Sequence, residues 1–165
     1  MKGLTQAERT LLMMKRFIPF FTSLSDPEIL TVVEAVQFVR FSKHEVVFEQ
    51  GSDGKEIYFI VKGRVNISVG TFKQIGKLEK YDDFVTVVNL ESKQAFGEMS
   101  AVTGEARSAR ATAYDDDTTL IRFDLLESLD EETALPYIKI YRNFIRLLSG
   151  KLRNANNTLM GLARV

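Results

Sequence analysis

The fold is decided by the stretch between residues 51 and 69, which reads GSDGKEIYFIVKGRVNISV. Glycine-containing turns at 51–54 and 62–63 bracket five bulky apolar residues at 57–61, and apolar and polar residues then alternate through 65–69. Short apolar or alternating runs bounded by glycine and polar residues are typical of β-strands joined by tight turns. The stretch therefore predicts a buried strand, a turn and an alternating strand.

The same pattern continues on both sides of this stretch. Turn residues separate further strands, which are predicted at Val39–Phe41, Glu45–Phe48, Phe72–Leu78, Phe84–Leu90, Ala111–Tyr114 and Thr118–Phe123. About eight short strands at this spacing favour a β-barrel or a jelly roll. The chain is therefore predicted to be mainly β.

Two helices are predicted before the strands. Thr5 and Glu8 have the spacing of a capping box, and the helix that follows is expected to run to about Arg16. Ser25 caps a second helix, which has a proline in its first turn and Glu28 three residues after the cap. The chain is thus expected to enter the strand region from a helical segment.

The last element is predicted to be a long helix that begins after Leu135-Pro136. Its apolar residues recur at alternating spacings of three and four, as in a coiled-coil seam. The seam comprises Ile138, Tyr141, Ile145, Leu148, Leu152, Ala155, Leu159 and Leu162. The pattern favours a parallel helix pair that forms a homodimer, and the alternative is a helix folded along the barrel.

A second stretch, from Phe96 to Ala111, has the chemistry of a site for a small anion. Gly97 lets a ligand or a bent chain approach the backbone closely, and the Glu98 carboxylate can accept hydrogen bonds from a sugar diol. Arg107 supplies a charged planar fork that suits phosphate oxygens. The alternative is a surface ion pair between Glu98 and Arg107, which would contribute little.

These residues resemble the phosphate-binding cassette of cyclic nucleotide-binding domains. The resemblance rests on Phe96-Gly97-Glu98-Met99, on Ala106-Arg107-Ser108-Ala109 and on Ala113. The family includes bacterial catabolite activator proteins, the regulatory subunits of cAMP-dependent kinases and cyclic-nucleotide-gated channels. The resemblance extends to the glycine turns within residues 48–63 and to the segment Pro19–Glu28.

The resemblance implies a fold and a set of ligand contacts. The fold would be an eight-stranded β-roll, or double-stranded β-helix, with N-terminal helices and a long C-terminal helix. Glu98 would hold the ribose 2′-hydroxyl, Arg107 would pair with the cyclic phosphate, and the C-terminal helix would cover the base. Asn154, Asn156 and Asn157 lie in that region of the helix, and Asn156 is chosen as the base contact, with solvated asparagines as the alternative. The ligand-binding set is Phe96, Gly97, Glu98, Met99, Ser100, Arg107, Ser108, Ala109 and Asn156. The ligand would be cAMP, with cGMP as the alternative.

Composition narrows the classes of function. Lys+Arg and Asp+Glu each number 22, so no global positive charge favours nucleic acid or an anionic membrane as a partner. The sequence contains no apolar run of about 18 residues and no signal-peptide pattern, which predicts a cytoplasmic protein. No cysteine is present for a thiolate metal site.

The histidine content argues against catalysis. His44 is the single histidine, whereas a hydrolytic triad pairs a histidine with a nucleophile and a cupin-type metal site needs several. Asp115-Asp116-Asp117 is a run of carboxylates in an apparent loop, without the alternating ligands of a calcium loop. We therefore expect no catalytic residue, no metal, and no cofactor beside the nucleotide ligand.

Three segments are predicted: an N-terminal helical segment at 1–37, a ligand-binding β-roll at 38–123, and a C-terminal hinge with a lid and dimerisation helix at 124–165. The expected function is a regulatory domain in which cyclic nucleotide binding moves the C-terminal helix and so acts on an unidentified downstream protein. A helix-turn-helix output module would have to follow the long helix, and none is expected because the sequence ends at Val165. The alternative function is a degenerate, ligand-free dimerisation or interaction module.

Overall fold

The computed structural model describes residues 4–75, 78–124 and 131–162. Its helices are α1 Gln6–Met14, α2 Asp26–Thr31, α3 Glu98–Thr103 and α4 Glu131–Leu162. Its strands are β1 Val36–Phe41, β2 Val46–Phe48, β3 Glu56–Lys62, β4 Val65–Ile75, β5 Leu78–Leu90, β6 Ala95–Phe96, β7 Arg110–Ala113 and β8 Thr118–Asp124. Short 3₁₀ turns lie at Lys15–Phe17, Pro19–Phe21 and Val33–Ala35.

Internal contacts divide the chain into two compact units. The helical unit comprises the chain up to Glu34 together with α4, and the β-roll comprises the eight strands together with α3. The roll is therefore inserted between two parts of the helical unit that are distant in sequence. The predicted three-segment division at residues 37 and 123 stays a prediction.

The β-roll consists of two four-stranded antiparallel sheets. One sheet has the strand order β1-β8-β3-β6, and the other has the order β2-β7-β4-β5. Side chains from both sheets meet in a core whose buried members are Tyr58, Ile60, Val65, Phe96, Ala111 and Leu120. This architecture, with helices before and after the strands, confirms the predicted eight-stranded β-roll.

The hairpin of β4 and β5 is longer than predicted. Separate strands were predicted at 65–69 and Phe72–Leu78, and another was predicted to begin at Phe84. In the structure β4 continues through Gly70 to Ile75, and β5 begins at Leu78 and continues through Phe84. A register shift between Val69 and Thr71 absorbs the irregularity at the glycine. The Gly70 amide donates a hydrogen bond to Oε1 of Gln50 at 2.7 Å, so this glycine remains within the strand and binds a neighbouring loop.

The capping box predicted at Thr5 and the cap predicted at Ser25 are both present in the helical unit. The Glu8 amide donates to the Thr5 hydroxyl at 3.2 Å, and the Thr5 amide donates back to the Glu8 carboxylate. The Ser25 amide donates to the Glu28 carboxylate at 2.8 Å in the same way. These bonds satisfy amides that have no partner inside α1 and α2, and they fix where the two helices begin.

One face of α4 packs on the N-terminal part of the helical unit. The rings of Phe20 and Phe144 stack with centroids 4.9 Å apart, and the Asn143 side-chain amide donates to the Phe20 carbonyl at 3.1 Å. The Lys139 ammonium lies 2.6 Å from the Glu28 carboxylate. This bond, together with the amide of the capping residue, lowers the pKa of Glu28 to about 2. Stacking, a buried amide and an ion pair thus fix α4 to α2 and the Pro19–Phe21 turn.

The start of α4 differs from the prediction. The helix was predicted to begin after Leu135-Pro136, whereas it begins at Glu131 and contains Pro136. A proline inside a helix lacks one main-chain donor. The burial of Tyr137 and Ile140 in the next turn offsets that loss. Residues 125–130, which precede α4, lie outside the described residues.

The predicted seam lies on the side of α4 next to the packed face. Four of its residues are more than half exposed, namely Ile138 at 57%, Ile145 at 64%, Leu152 at 63% and Leu159 at 64%. Tyr141 and Leu148 are half-buried and Ala155 is exposed, while the side chain of Leu162 lies outside the described ones. The seam thus adjoins the face that packs within the chain, and its four most exposed residues do not take part in that packing. Although α4 has 32 residues, no helix in the described part of the chain is long and apolar enough to cross a membrane.

Candidate functional site

The first half of the cassette forms a strand, a sharp bend and a short helix. β6 pairs with β3, with Phe96 opposite Tyr58. Gly97 follows with a φ of 81°, and α3 then runs to Gly104, which has a φ of 73°. Both values lie in the left-handed region that glycine tolerates and most other residues avoid. The chain can therefore reverse direction on both sides of α3.

The atoms around Gly97 leave no room for a side chain at this position. A Cβ atom at this position would lie 2.8 Å from Nη1 of Arg107 and 3.1 Å from the carbonyl oxygen of Glu56. Such distances are shorter than normal contacts, so a larger residue would push the guanidinium away. The missing side chain lets the backbone of the cassette come close to Arg107.

The guanidinium of Arg107 is the centre of the site. The residue is 3% exposed, and each of its two terminal nitrogens makes two hydrogen bonds. Nη1 donates to the carbonyl oxygens of Gly97 at 2.8 Å and Glu56 at 3.0 Å. Nη2 donates to the Glu56 carbonyl at 3.0 Å and to Oε2 of the Glu56 carboxylate at 2.8 Å. Nε is buried and has no hydrogen-bond partner among the described residues.

An aromatic ring and the β2–β3 loop complete the surroundings of Arg107. Its Cζ atom lies 4.3 Å from the centroid of the Phe48 ring, which is a cation–π distance. Its amide donates to the Ser52 carbonyl, and its carbonyl accepts from the Gly51 amide, each at 2.8 Å. A Cβ atom at Gly54 would lie 2.4 Å from both Nε and Nη2. The loop thus anchors the main chain of Arg107 and leaves room for its side chain.

The other predicted ligand residues of the cassette differ in exposure. Glu98 and Ser100, in the first turn of α3, are 6% and 3% exposed, whereas Met99 between them is 61% exposed. Ser108 is exposed and Ala109 is half-buried. The buried Glu98 directly follows Gly97, whose carbonyl accepts from Arg107. The structure therefore places Glu98 and Arg107 both next to Gly97. The roles of Glu98, Met99, Ser100, Ser108 and Ala109 in ligand binding stay predictions.

Phe96 and Asn156 lie in different units of the chain. The Phe96 ring stacks on Tyr58 with centroids 5.3 Å apart and belongs to the core of the roll. Asn156 lies on α4, and its side chain is exposed. The predicted contact of Asn156 with a nucleotide base stays a prediction.

Glu56 is the candidate residue that the sequence analysis missed. It lies 51 residues before Arg107 and begins β3. Glutamates are mostly exposed at protein surfaces, and a glutamate just before a buried strand is common, so the local sequence carries no signal for this contact. The contact depends on the pairing of β3 with β6, which brings the start of β3 beside the cassette.

His44 and the aspartate run at 115–117 lie in turns or form ion pairs with nearby side chains. His44 is an exposed turn residue with a φ of 67°. Asp115 pairs with Arg64 at 2.7 Å and Asp117 pairs with Lys62 at 2.5 Å, and these bonds lower the pKa of both carboxyls. No group of three or more histidine or acidic side chains suited to a metal ion occurs among the described residues.

A cavity of about 660 Å³ lies beside the long β4–β5 hairpin. It is lined by Glu49, Gln50, Gly51, Phe72, Tyr81, Asp82, Phe84, Ala106 and Arg110. The Arg110 guanidinium lies over the Phe84 ring at 4.9 Å and pairs with Glu49 at 3.1 Å. The cavity was not predicted, because its lining residues come from the β2–β3 loop, the β4–β5 hairpin and the segment 106–110, which are distant in sequence.

Comparison with known proteins identifies the family. The family model of the cyclic nucleotide-binding domain matches residues 38–130, which is more than half of the chain. The crystal structure of a cyclic nucleotide-binding domain from Methylobacillus flagellatus has a TM-score of 0.73 and 19% identity, and covers 94% of this chain and 85% of that one. At this identity the likeness shows the fold alone.

Two curated relatives of the chain are proteins of different kinds. Human cGMP-dependent protein kinase 2 is 19% identical over 141 residues, covering 86% of this chain and 17% of the kinase. The CRP-like cAMP-activated global transcriptional regulator of Mycobacterium tuberculosis is 26% identical over 146 residues, covering 86% of this chain and 58% of the regulator. The chain thus spans less than two thirds of either relative. With its fold, its cassette and the matched residues 38–130, the chain belongs to the cyclic nucleotide-binding domain family.

Proposed function

We propose that this chain reversibly binds a 3′,5′-cyclic nucleotide, with cAMP preferred, and transmits binding through α4. The observation that carries the proposal is the buried Arg107 guanidinium, held beside Gly97 in the cassette of a family member. A guanidinium shielded from water forms strong charge-assisted hydrogen bonds with a phosphate, because solvent screens its charge little. In this proposal the buried Glu98 carboxylate accepts the hydrogen bond of the ribose 2′-hydroxyl.

The preference for cAMP over cGMP rests on the base-facing region of α4 and not on identity to relatives. The mycobacterial relative, which is named as cAMP-activated, is 26% identical to this chain, but a cGMP-dependent protein kinase of Eimeria tenella is 29% identical over 99 residues. An asparagine amide such as that of Asn156 can both donate and accept at the edge of adenine. Parallel titrations with the two nucleotides decide between them.

Calorimetric titration with cAMP, cGMP and 5′-AMP tests the proposal directly. We expect cAMP to bind more tightly than cGMP, and 5′-AMP to bind least because its phosphate is not closed into a ring. At 100 times the dissociation constant, a ligand adds about 2.7 kcal/mol to the free energy of unfolding, which raises the melting temperature by roughly 5–10 °C. If millimolar concentrations of every nucleotide leave both heat and melting temperature unchanged, the proposal is wrong.

A matched pair of arginine variants tests the role of Arg107. Arg107→Lys keeps the charge but removes the planar fork, and we expect it to weaken cAMP binding about 10- to 100-fold, the range for loss of a charged hydrogen bond. Arg110→Lys is the control, because Arg110 is close in sequence and pairs with Glu49 at 3.1 Å instead of with the cassette. Equal losses in the two variants would contradict a specific role for Arg107.

A change of ligand tests the role of Glu98. The 2′-deoxy analogue of cAMP lacks the hydroxyl that Glu98 is proposed to bind. We expect the wild-type protein to bind cAMP more tightly than the analogue, and Glu98→Ala to bind the two with similar affinity. If Glu98→Ala discriminates between them as well as the wild type does, Glu98 has another role.

Homodimerisation through α4 is the second part of the proposal. The supporting observation is the row formed by Ile138, Ile145, Leu152 and Leu159, which recurs every seven residues and is exposed at each position. A heptad row of exposed large apolar residues on a long helix gains stability when a second helix covers it. A second copy of this chain presents the same row, so a parallel pair is self-complementary.

Light scattering tests the dimer. We expect the wild-type protein to have twice the mass of one chain, and Leu152→Glu to have the mass of one chain because the charge would be buried in the seam. Asn154→Glu is the control, since it adds the same charge two residues away and outside the seam. A wild-type protein that stays monomeric at high concentration would overturn this part of the proposal.

The reciprocity of linked binding equilibria provides a test of the proposed coupling between the nucleotide and α4. If cAMP changes the dimer, the monomeric Leu152→Glu variant must bind cAMP with a different affinity from the dimer. Equal affinities would show that the seam and the ligand site are independent. A dimer that binds no nucleotide would favour the alternative function, an interaction module without a ligand.

A further inference from the structure

Both terminal nitrogens of the Arg107 guanidinium are engaged by acceptors of the protein itself. Three of the four hydrogen bonds end on neutral carbonyl oxygens, two of them on Glu56 and one on Gly97. The fourth ends on Oε2 of Glu56 at 2.8 Å, and this acceptor is the charged one among the four. Nη1 and Nη2 carry two N–H groups each, so the four bonds use all of them.

The geometry leaves no pair of adjacent N–H groups open for a phosphate. A phosphate binds a guanidinium best through two parallel N–H groups, and each such pair includes at least one on Nη2. The Nε–H group is buried without a partner among the described residues, but its neighbour on that edge is Nη2, which bonds to Glu56. A phosphate that uses this edge therefore meets the position of the Glu56 carboxylate.

We infer that the Glu56 carboxylate competes with the ligand phosphate for Arg107, and that Glu56 thereby sets the affinity of the site. The inference rests on the proposed function, because it takes a cyclic nucleotide as the ligand. The cyclic phosphate and Glu56 each carry one negative charge, so they repel each other when both approach the same guanidinium. Binding exchanges one anion for the other at Nη2.

The low exposure of the pair makes this competition effective. The Arg107 side chain is 2% exposed and the Glu56 side chain is 29% exposed. Water screens such a pair less than a surface pair, so its electrostatic attraction is stronger. The phosphate must therefore displace the Glu56 carboxylate from this ion pair to reach the guanidinium. The higher exposure of Glu56 gives its side chain a path to solvent when it is displaced.

Glu56 can be neutralised without dismantling the site. Glu56→Gln has nearly the same shape, and it keeps the main-chain carbonyl that accepts from both Nη1 and Nη2. The hydrogen bond from Nη1 to the Gly97 carbonyl is also unchanged. Three of the four bonds therefore persist in the variant, and what is removed is the competing charge.

Titration of Glu56→Gln with cAMP tests the inference, with Asp53→Asn as the matched control. Asp53 is an exposed carboxylate in the β2–β3 loop, three residues before Glu56, so its neutralisation removes the same charge from a side chain that makes no hydrogen bond to Arg107. We expect Glu56→Gln to bind cAMP about tenfold more tightly than the wild type, which corresponds to about 1.4 kcal/mol. Asp53→Asn is expected to stay within about twofold of the wild type, because exposed charges are screened.

The outcomes separate this inference from the proposed function. Tighter binding by Glu56→Gln than by a wild type that itself binds, with no gain in Asp53→Asn, supports the competition. Binding by the wild type with equal or weaker binding by Glu56→Gln overturns the competition and leaves the proposed function standing; in that case Glu56 positions Arg107 for the phosphate. Equal gains in both variants show a general charge effect and overturn the inference. If neither the wild type nor Glu56→Gln binds any cyclic nucleotide, the proposed function is wrong and the inference falls with it.

Discussion

Replacing Gly54 with alanine is expected to displace the Arg107 guanidinium. A Cβ atom at residue 54 would lie 2.4 Å from Nε and from Nη2, and 2.6 Å from Cζ. Gly54 is not among the glycines with a positive φ, so alanine suits the backbone there and the contact with Arg107 is the source of strain. Normal contact distances require the guanidinium to move by about 1 Å, which breaks its bonds to Glu56 and Gly97.

The magnitude follows from the acceptors that lose their donor. The carbonyls of Glu56 and Gly97 lie beside a buried side chain, and an unsatisfied buried group costs about 1–3 kcal/mol. Partial recovery by water leaves an expected loss of about 2–3 kcal/mol in the free energy of unfolding. For a chain of this size the melting temperature should fall by roughly 4–12 °C, measured by circular dichroism. Affinity for cAMP should fall as well, because Arg107 is displaced.

The same substitution in an Arg107→Ala background provides the decisive comparison. Without the guanidinium the three short contacts of the new methyl group are gone, so Gly54→Ala should be neutral or should add about 0.4–1 kcal/mol by restricting the unfolded chain. The double-mutant cycle therefore predicts a coupling of at least about 2 kcal/mol between the two positions. An equal loss of stability in both backgrounds would refute the reasoning.

Two further predictions concern the helical unit. Folding lowers the pKa of Glu28 from 4.5 to about 2 through the Lys139 hydrogen bond, so its stabilising contribution is complete above the ordinary value and is lost as the pH falls towards 2. Glu28→Gln should therefore reduce the free energy of unfolding by roughly 1–2 kcal/mol at pH 7, and by much less at pH 3; a constant difference would contradict the role of this ion pair. Gly150→Ala should stabilise α4 by about 0.5–1 kcal/mol in thermal unfolding, because its Cβ atom would meet no other atom within 4 Å. A destabilised variant would show that Gly150 has a packing role.

The sequence predicted what is specified locally. The caps at Thr5 and Ser25 are contained within four residues each, so their prediction needed no knowledge of the tertiary fold. The strand on either side of the turn at Gly63 was predictable for the same reason, since the turn residue and the apolar pattern adjoin. The family resemblance then joined the separate strands into one roll.

What the sequence left out depends on contacts between distant residues. Glu56 reaches Arg107 across 51 residues, and β6 is a strand of two residues that pairing with β3 defines. Gly70 looks like a strand end in the sequence, but its bond to Gln50 keeps it within β4. In the same way Pro136 looks like the start of a helix, and burial of the following turn lets α4 include it. Tertiary packing overrides the local signal at each of these positions.

The packing of α4 within the helical unit has a mechanical consequence. Shifting α4 alone would separate Phe144 from Phe20 and break the ion pair with Glu28. If nucleotide binding moves α4 as proposed, the Pro19–Phe21 turn and α2 are therefore expected to move with it as one body. Substitutions in α2 that leave the nucleotide site untouched are then expected to alter the response to the nucleotide.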